Sequence, residues 1–147
     1  RVMDYRRYAI DELRSVGELR AAEKVCLDRL VELDERLQAL KVPSPQADPV
    51  SGGGSRTEER WLNLIAAKAD EERRLREIRR RLRRFDTAWA AIGERDRRVL
   101  EEWYIVGGRS CAERVAAREY CDERTARRWR DDALVRFARA YYGAVVC

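Results

Sequence analysis

Apolar residues recur at helical spacing along the first forty positions: Leu13, Val16, Leu19, Ala22, Cys26, Leu30, Leu33, Leu37 and Leu40, with charges between them. Steps of three and four predict one long helix, residues 1–42, with the narrow apolar stripe of a coiled-coil seam. Gly17 is where it can bend, and Pro43 and Pro45 forbid its continuation. A Pro/Gly/Ser linker is expected over 43–56: Pro43, Pro45 and Pro49 stiffen its first half, and Gly52 to Gly54 permit chain reversal. Ser55 and Glu58 have the spacing of a capping box, which predicts that a second long helix, 57–92, opens there. Its stripe runs Trp61, Leu64, Lys68, Glu71, Leu75, Ile78, Leu82, Phe85, Trp89 and Ile92. Lys68 and Glu71 interrupt it, and polar residues in a seam fix register at some cost in stability.

Two seams joined by a reversing connection predict an antiparallel helical hairpin. Pairing of either seam with a second copy of the chain, a homodimer through helices 1–42 and 57–92, is the other arrangement, and the two are compatible. The pattern changes over residues 93–147. A short helix, Glu94 to Ile105, carries Val99, Leu100, Trp103 and Tyr104 inward and ends at Gly107-Gly108. Ser110 to Glu113 repeats the capping-box spacing before a helix of about nine residues, and Asp122 caps a third running toward Tyr142, with Ala126, Trp129, Ala133 and Phe137 inward. The fold class expected is all-α: a long coiled-coil-like hairpin followed by a small helix-turn-helix domain.

Charge sharpens this outline. The 147 residues carry a formal net charge of +5, unevenly placed: eight arginines against the single Glu77 lie between Arg73 and Arg84. Histidine is absent and the four cysteines (Cys26, Cys111, Cys121, Cys147) never approach C-x-x-C spacing, so neither a metal site, a cofactor nor a Cys/His nucleophile is expected. The carboxylates are spread over helix faces as salt-bridge partners, which argues against an enzyme. No apolar run approaches 18 residues and no charged-then-apolar leader is present, so a protein of a reducing cytoplasm, away from the membrane, is expected. The opening Arg1 with Met3 close behind leaves the natural start open.

With Ala126, Trp129 and Ala133 inward, Glu123, Arg124, Arg127, Arg128 and Asp131 face solvent, mostly in the two turns that a helix-turn-helix inserts into the major groove. Arginine can bridge guanine O6 and N7, and a carboxylate can accept from cytosine N4. Ser110 and Cys111 open the preceding helix, whose free amides suit a phosphate. Arg73, Arg76, Arg80, Arg83 and Arg84 form a stripe suited to further phosphates; pairing of that stripe with acids of the first helix, such as Glu32, Asp34 and Glu35, is the reading favoured over it. Tyr141, Tyr142, Val145 and Val146 form an apolar end suited to docking on a partner.

The stretches AIGERDRRVLEEWYI and AERVAAREYCDERTARRWRDDALVRF resemble region 4 of bacterial sigma factors, and the whole order, with SPQADPVSGGGSRTEE between two charged helices, is similar to phage late-gene regulators of the ArpU and RinA type. The resemblance implies a sequence-specific transcription regulator in the cytoplasm of a bacterial host. It would bind promoter-like double-stranded DNA through a recognition helix at 123–137 and contact the host RNA polymerase. By position, Glu123, Arg124, Arg127 and Arg128 match groove-facing residues, and Ser110 and Cys111 match the start of the supporting helix. Two departures stand out: the loop Val106 to Arg109 is about two residues longer than in sigma region 4, and Glu119 replaces a usual apolar residue. A small terminase subunit, or an interaction protein docking on host polymerase, are the alternatives.

Overall fold

The computed structural model describes residues 4–41 and 53–143, with the side chains of 53–55 excepted. The described residues form helices without strands: α1 (Arg6–Lys41), α2 (Gly53–Ala91), α3 (Glu94–Leu100) running into a π-helical turn (Glu101–Val106), α4 (Cys111–Glu119) and α5 (Glu123–Tyr142). None is long and apolar enough to cross a membrane. α1 continues through Gly17. Most of the expected linker and its hinge, 42–52, lies outside the described residues, as do Val145 and Val146.

Two compact units result among the described residues, and they do not follow helix ends: within 21–80, residues 21–41 and 53–80 form one, and residues 4–20 with 81–143 form the other. In the first unit, ion pairs run in opposite order along the two helices. As the α1 partner advances from Glu23 to Arg29 to Asp34, its α2 partner recedes from Arg79 to Glu71 to Lys68. Cys26, Leu37, Leu75 and Ile78 bury the seam, whereas Leu64 is half-buried and Trp61, expected inward, is exposed. α2 begins at Gly53, ahead of the predicted cap at Ser55. First-turn amides have no partner inside a helix, so glycine is tolerated there at little cost.

The seam's polar residues are met unequally. Lys68 reaches Asp34 at 2.8 Å, and that carboxylate holds the lysine pKa above its ordinary value. Glu71 accepts from Arg29 at 3.3 Å and Arg74 at 3.0 Å through Oε1; no N–H or O–H meets its buried Oε2, and the carboxylate lies beside the Cys26 thiol, whose pKa is raised by burial first and then by Glu71.

In the second unit α5 packs on the beginning of α1, the end of α2, and α3. Phe137 meets Phe85 at 5.5 Å and Trp89 at 6.2 Å, and Tyr142 stacks on Tyr5 at 4.8 Å. Ala9, Leu13, Leu100, Ala133, Leu134 and Tyr141 are buried beside them. Tyr141 is thus core rather than part of a docking end. Arg97 closes α2 by donating to the Trp89 and Ile92 carbonyls, and Arg136 ties α5 to the buried Asp96 of α3 at 2.8 Å.

Replacing Glu71 by leucine removes a buried oxygen that no N–H or O–H meets, takes a charge away from the Cys26 thiol, and leaves the half-exposed Arg29 and Arg74 free to turn to water. We expect Glu71→Leu to raise unfolding stability by about 1 kcal/mol, read as a higher urea midpoint at unchanged m-value.

Candidate functional site

The segment from Glu101 to Arg128 is organised around one carboxylate. The π-helical turn, closed by the Gly107 amide donating to the Glu102 carbonyl at 3.2 Å, carries Glu102 inside at 8% exposure. Trp103 and Tyr104, expected inward, are only half-buried. Glu102 accepts from Arg114 Nε at 2.7 Å and from Arg118 Nη1 at 2.9 Å. The Arg114 bond, joined by that of Arg118, holds the carboxyl below its ordinary pKa of 4.5 against the opposing effect of burial. The same Arg114 guanidinium donates to the carbonyls of Glu102, Gly107 and Arg109. One side chain of α4 therefore binds both the turn before the glycine loop and the loop itself. Gly107 and Gly108 adopt φ of +64° and +87°, a region that other residues enter at a cost.

Ser110 stands before α4 but at φ +60°, left-handed, and makes no side-chain cap bond. A capping serine needs extended backbone to aim its hydroxyl at the free amides, so the predicted capping box does not form. The Cys111 thiol is turned toward the carbonyls of Gly108 at 3.4 Å and Trp103 at 3.7 Å.

α4 and α5 are joined by Tyr120, Cys121 and Asp122. Tyr120 takes the left-handed position where glycine commonly ends a helix, φ +54°, and its side chain is 95% exposed. Glu119 is mostly covered and held by Arg98 at 2.7 and 3.1 Å, which keeps its pKa low. A partner on α3 thus answers the acid that departs from the apolar pattern. Asp122 caps α5 as expected, accepting from the Thr125 amide at 2.6 Å, and Thr125, through its side chain first and this amide second, lowers the Asp122 pKa. Val99, Val115 and Ala126 pack as one cluster that locks α3, α4 and α5 together.

With Ala126 and Ala133 buried, Arg124, Arg127, Arg128 and Asp131 occupy the outward face of α5, all exposed; Glu123 is half-buried. Arg127 contacts Glu123 at 3.4 Å and Asp131 accepts from Arg130 at 2.9 Å. Arg124 and Arg128 have no ion pair among the described residues. Trp129 is half-buried, not core, and the Arg95 guanidinium covers its ring at 4.0 Å. Arg109, exposed just before α4, adds a cation on the approach to these helices that periodicity and spacing did not single out. Its position beside the glycine pair was the available signal.

The second basic feature separates. Arg73 and Arg80 pair with Asp70 and Glu77 one turn back, at 3.1 and 3.2 Å. Arg76 and Arg83 are exposed without an ion pair among the described residues. Arg84, still exposed, donates to the Tyr141 carbonyl at 3.1 Å and lies 4.4 Å over that ring. The acids of α1 that engage this arginine-rich stretch are Glu23, to Arg79, and Glu12, to Arg81; Asp34 instead holds Lys68, and Glu32 holds Arg36. No cluster of three or more His, Cys, Asp or Glu among the described residues could hold a metal ion. No family model, curated protein or solved structure matches the chain.

Glu102→Ala leaves two arginines without their common acceptor and should cost about 2 kcal/mol of unfolding stability. A carboxyl whose folded pKa is depressed contributes stability that is fully present above the unfolded value and lost as pH falls through the folded one. Urea midpoints should therefore fall as pH drops below about 4.5, and the alanine variant should show a shallower fall.

Proposed function

We infer that the chain is a DNA-binding transcription regulator in which α4, the Tyr120–Asp122 turn and α5 act as a helix-turn-helix, with the first two turns of α5 entering the major groove. The observation that carries this reading is a sorting of arginines. Arg98, Arg114, Arg118 and Arg136 are engaged by the covered carboxylates of Glu119, Glu102 and Asp96. On the opening turns of α5, Arg124, Arg127 and Arg128 are exposed together, with only Arg127 in an ion pair, to Glu123, among the described residues; Arg109 is exposed before α4, and Arg95 and Arg139 are exposed elsewhere on α3 and α5. Three exposed arginines at the start of a helix behind a three-residue turn suit phosphate and guanine contacts.

Asp131 and Asp132 limit that set to about two turns, the depth a recognition helix offers to base edges. The resemblance to sigma region 4 and to phage late-gene regulators points the same way, and on it we propose promoter-like duplex DNA as the ligand and host RNA polymerase as a further partner.

Fluorescence anisotropy of the full chain with a mixed-sequence duplex should show affinity falling steeply as salt rises. Changing Arg124, Arg127 and Arg128 to alanine should weaken binding and reduce the log–log salt slope by about 0.9 for each phosphate that is no longer neutralised. Any of the three that reads a base should instead cost about 1–3 kcal/mol on a preferred site. Binding that is unchanged in the triple variant would overturn the assignment of α5.

A further inference from the structure

The 21–80 unit has two dissimilar faces. With the seams of α1 and α2 facing each other in opposite directions, a residue one position after a seam residue falls on the same side of the pair on both helices. Leu27 and Val31 follow Cys26 and Leu30, and Leu62 and Ile65 follow Trp61 and Leu64. All four are exposed, Val31 and Leu62 at 59% each. The other side is a groove lined by Arg29, Glu32, Arg36, Asp70, Glu71 and Arg74, where Arg36 pairs with Glu32 and both Arg29 and Arg74 reach Glu71. The groove side answers its own charges; the other side carries the Lys68–Asp34 and Arg79–Glu23 pairs beside apolar side chains left in water.

We propose that this apolar face is covered by a second copy of the chain, α2 lying antiparallel against the α2 of its partner. Charge selects the partner and the register. Along the same side of α2 the order is Glu58, Leu62, Ile65, Ala69, Glu72 and Arg76, acidic at one end and basic at the other. Glu58 and Arg76 lie nine residues either side of the point midway between Ile65 and Ala69. A two-fold axis through that point sets each Glu58 opposite the Arg76 of the other copy, brings Ile65 over Ala69 and sets Leu62 against Glu72. Both charged residues are exposed, and neither has an ion pair among the described residues. A self-complementary patch of this kind is what an isologous interface requires, and removing the exposed leucine, isoleucine and valine side chains from water supplies its driving force.

Sedimentation of the full chain over a concentration series, without DNA, tests the proposal independently of the nucleic-acid reading. The native chain should run at twice the monomer mass. Val31→Glu with Leu62→Glu, both at exposed positions, should halve that mass at unchanged helical circular dichroism. Glu58→Arg should weaken association about fivefold, since it breaks two equivalent exposed pairs, and adding Arg76→Glu should restore it. A native chain that stays monomeric, a dimer indifferent to the two glutamates, or a charge swap that restores nothing would each overturn the proposal.

Discussion

The C-terminal helices depend on a single carboxylate. Glu102 sits inside the π-helical turn and is shared by Arg114 and Arg118, 12 and 16 residues further along. Charged hydrogen bonds of this geometry are the strong ones, and a half-satisfied version would be worse than an apolar core. Because Arg114 also gathers the Glu102, Gly107 and Arg109 carbonyls, the loop before α4 has its polar groups answered from within. The start of α4 is thereby placed, and with it the Val99, Val115 and Ala126 cluster that seats α5.

That arrangement explains how an arginine-rich domain can fold and still present cations outward. Asp96, Glu102 and Glu119 each take arginines that would otherwise repel one another across a small core. The N-cap bond of Asp122 fixes where α5 begins, and the spacing from Ala126 then sets which arginines point away. In our reading the scaffold and the nucleic-acid face are built from the same residue type, and the covered carboxylates decide which arginine serves which purpose.

Much of this was legible in the chain. The two seams declared themselves by period, since burial on one helix face demands it, and the Asp122 cap is a local signal read over three residues. What escaped depends on partners distant in sequence. The π-helical turn that puts Glu102 rather than Trp103 inside needs two arginines of α4. Glu119 looked anomalous until Arg98 was placed beside it, and the contact of Arg84 with Tyr141, 57 residues later, had no local signal. Ser110 had capping-box spacing, yet the preceding glycines deliver it in a left-handed conformation that turns its hydroxyl from the amides. Periodicity reports faces; it does not report which charges find each other.

The central claim, that α5 reads duplex DNA, is tested most directly by letting the full chain select from duplexes randomised over about 20 base pairs, two helical turns, at a salt concentration where non-specific binding is weak. The account predicts that one short motif is enriched from the native chain and that it is absent from selection with Arg124, Arg127 and Arg128 changed to alanine. A retained pool indistinguishable from the input would contradict it.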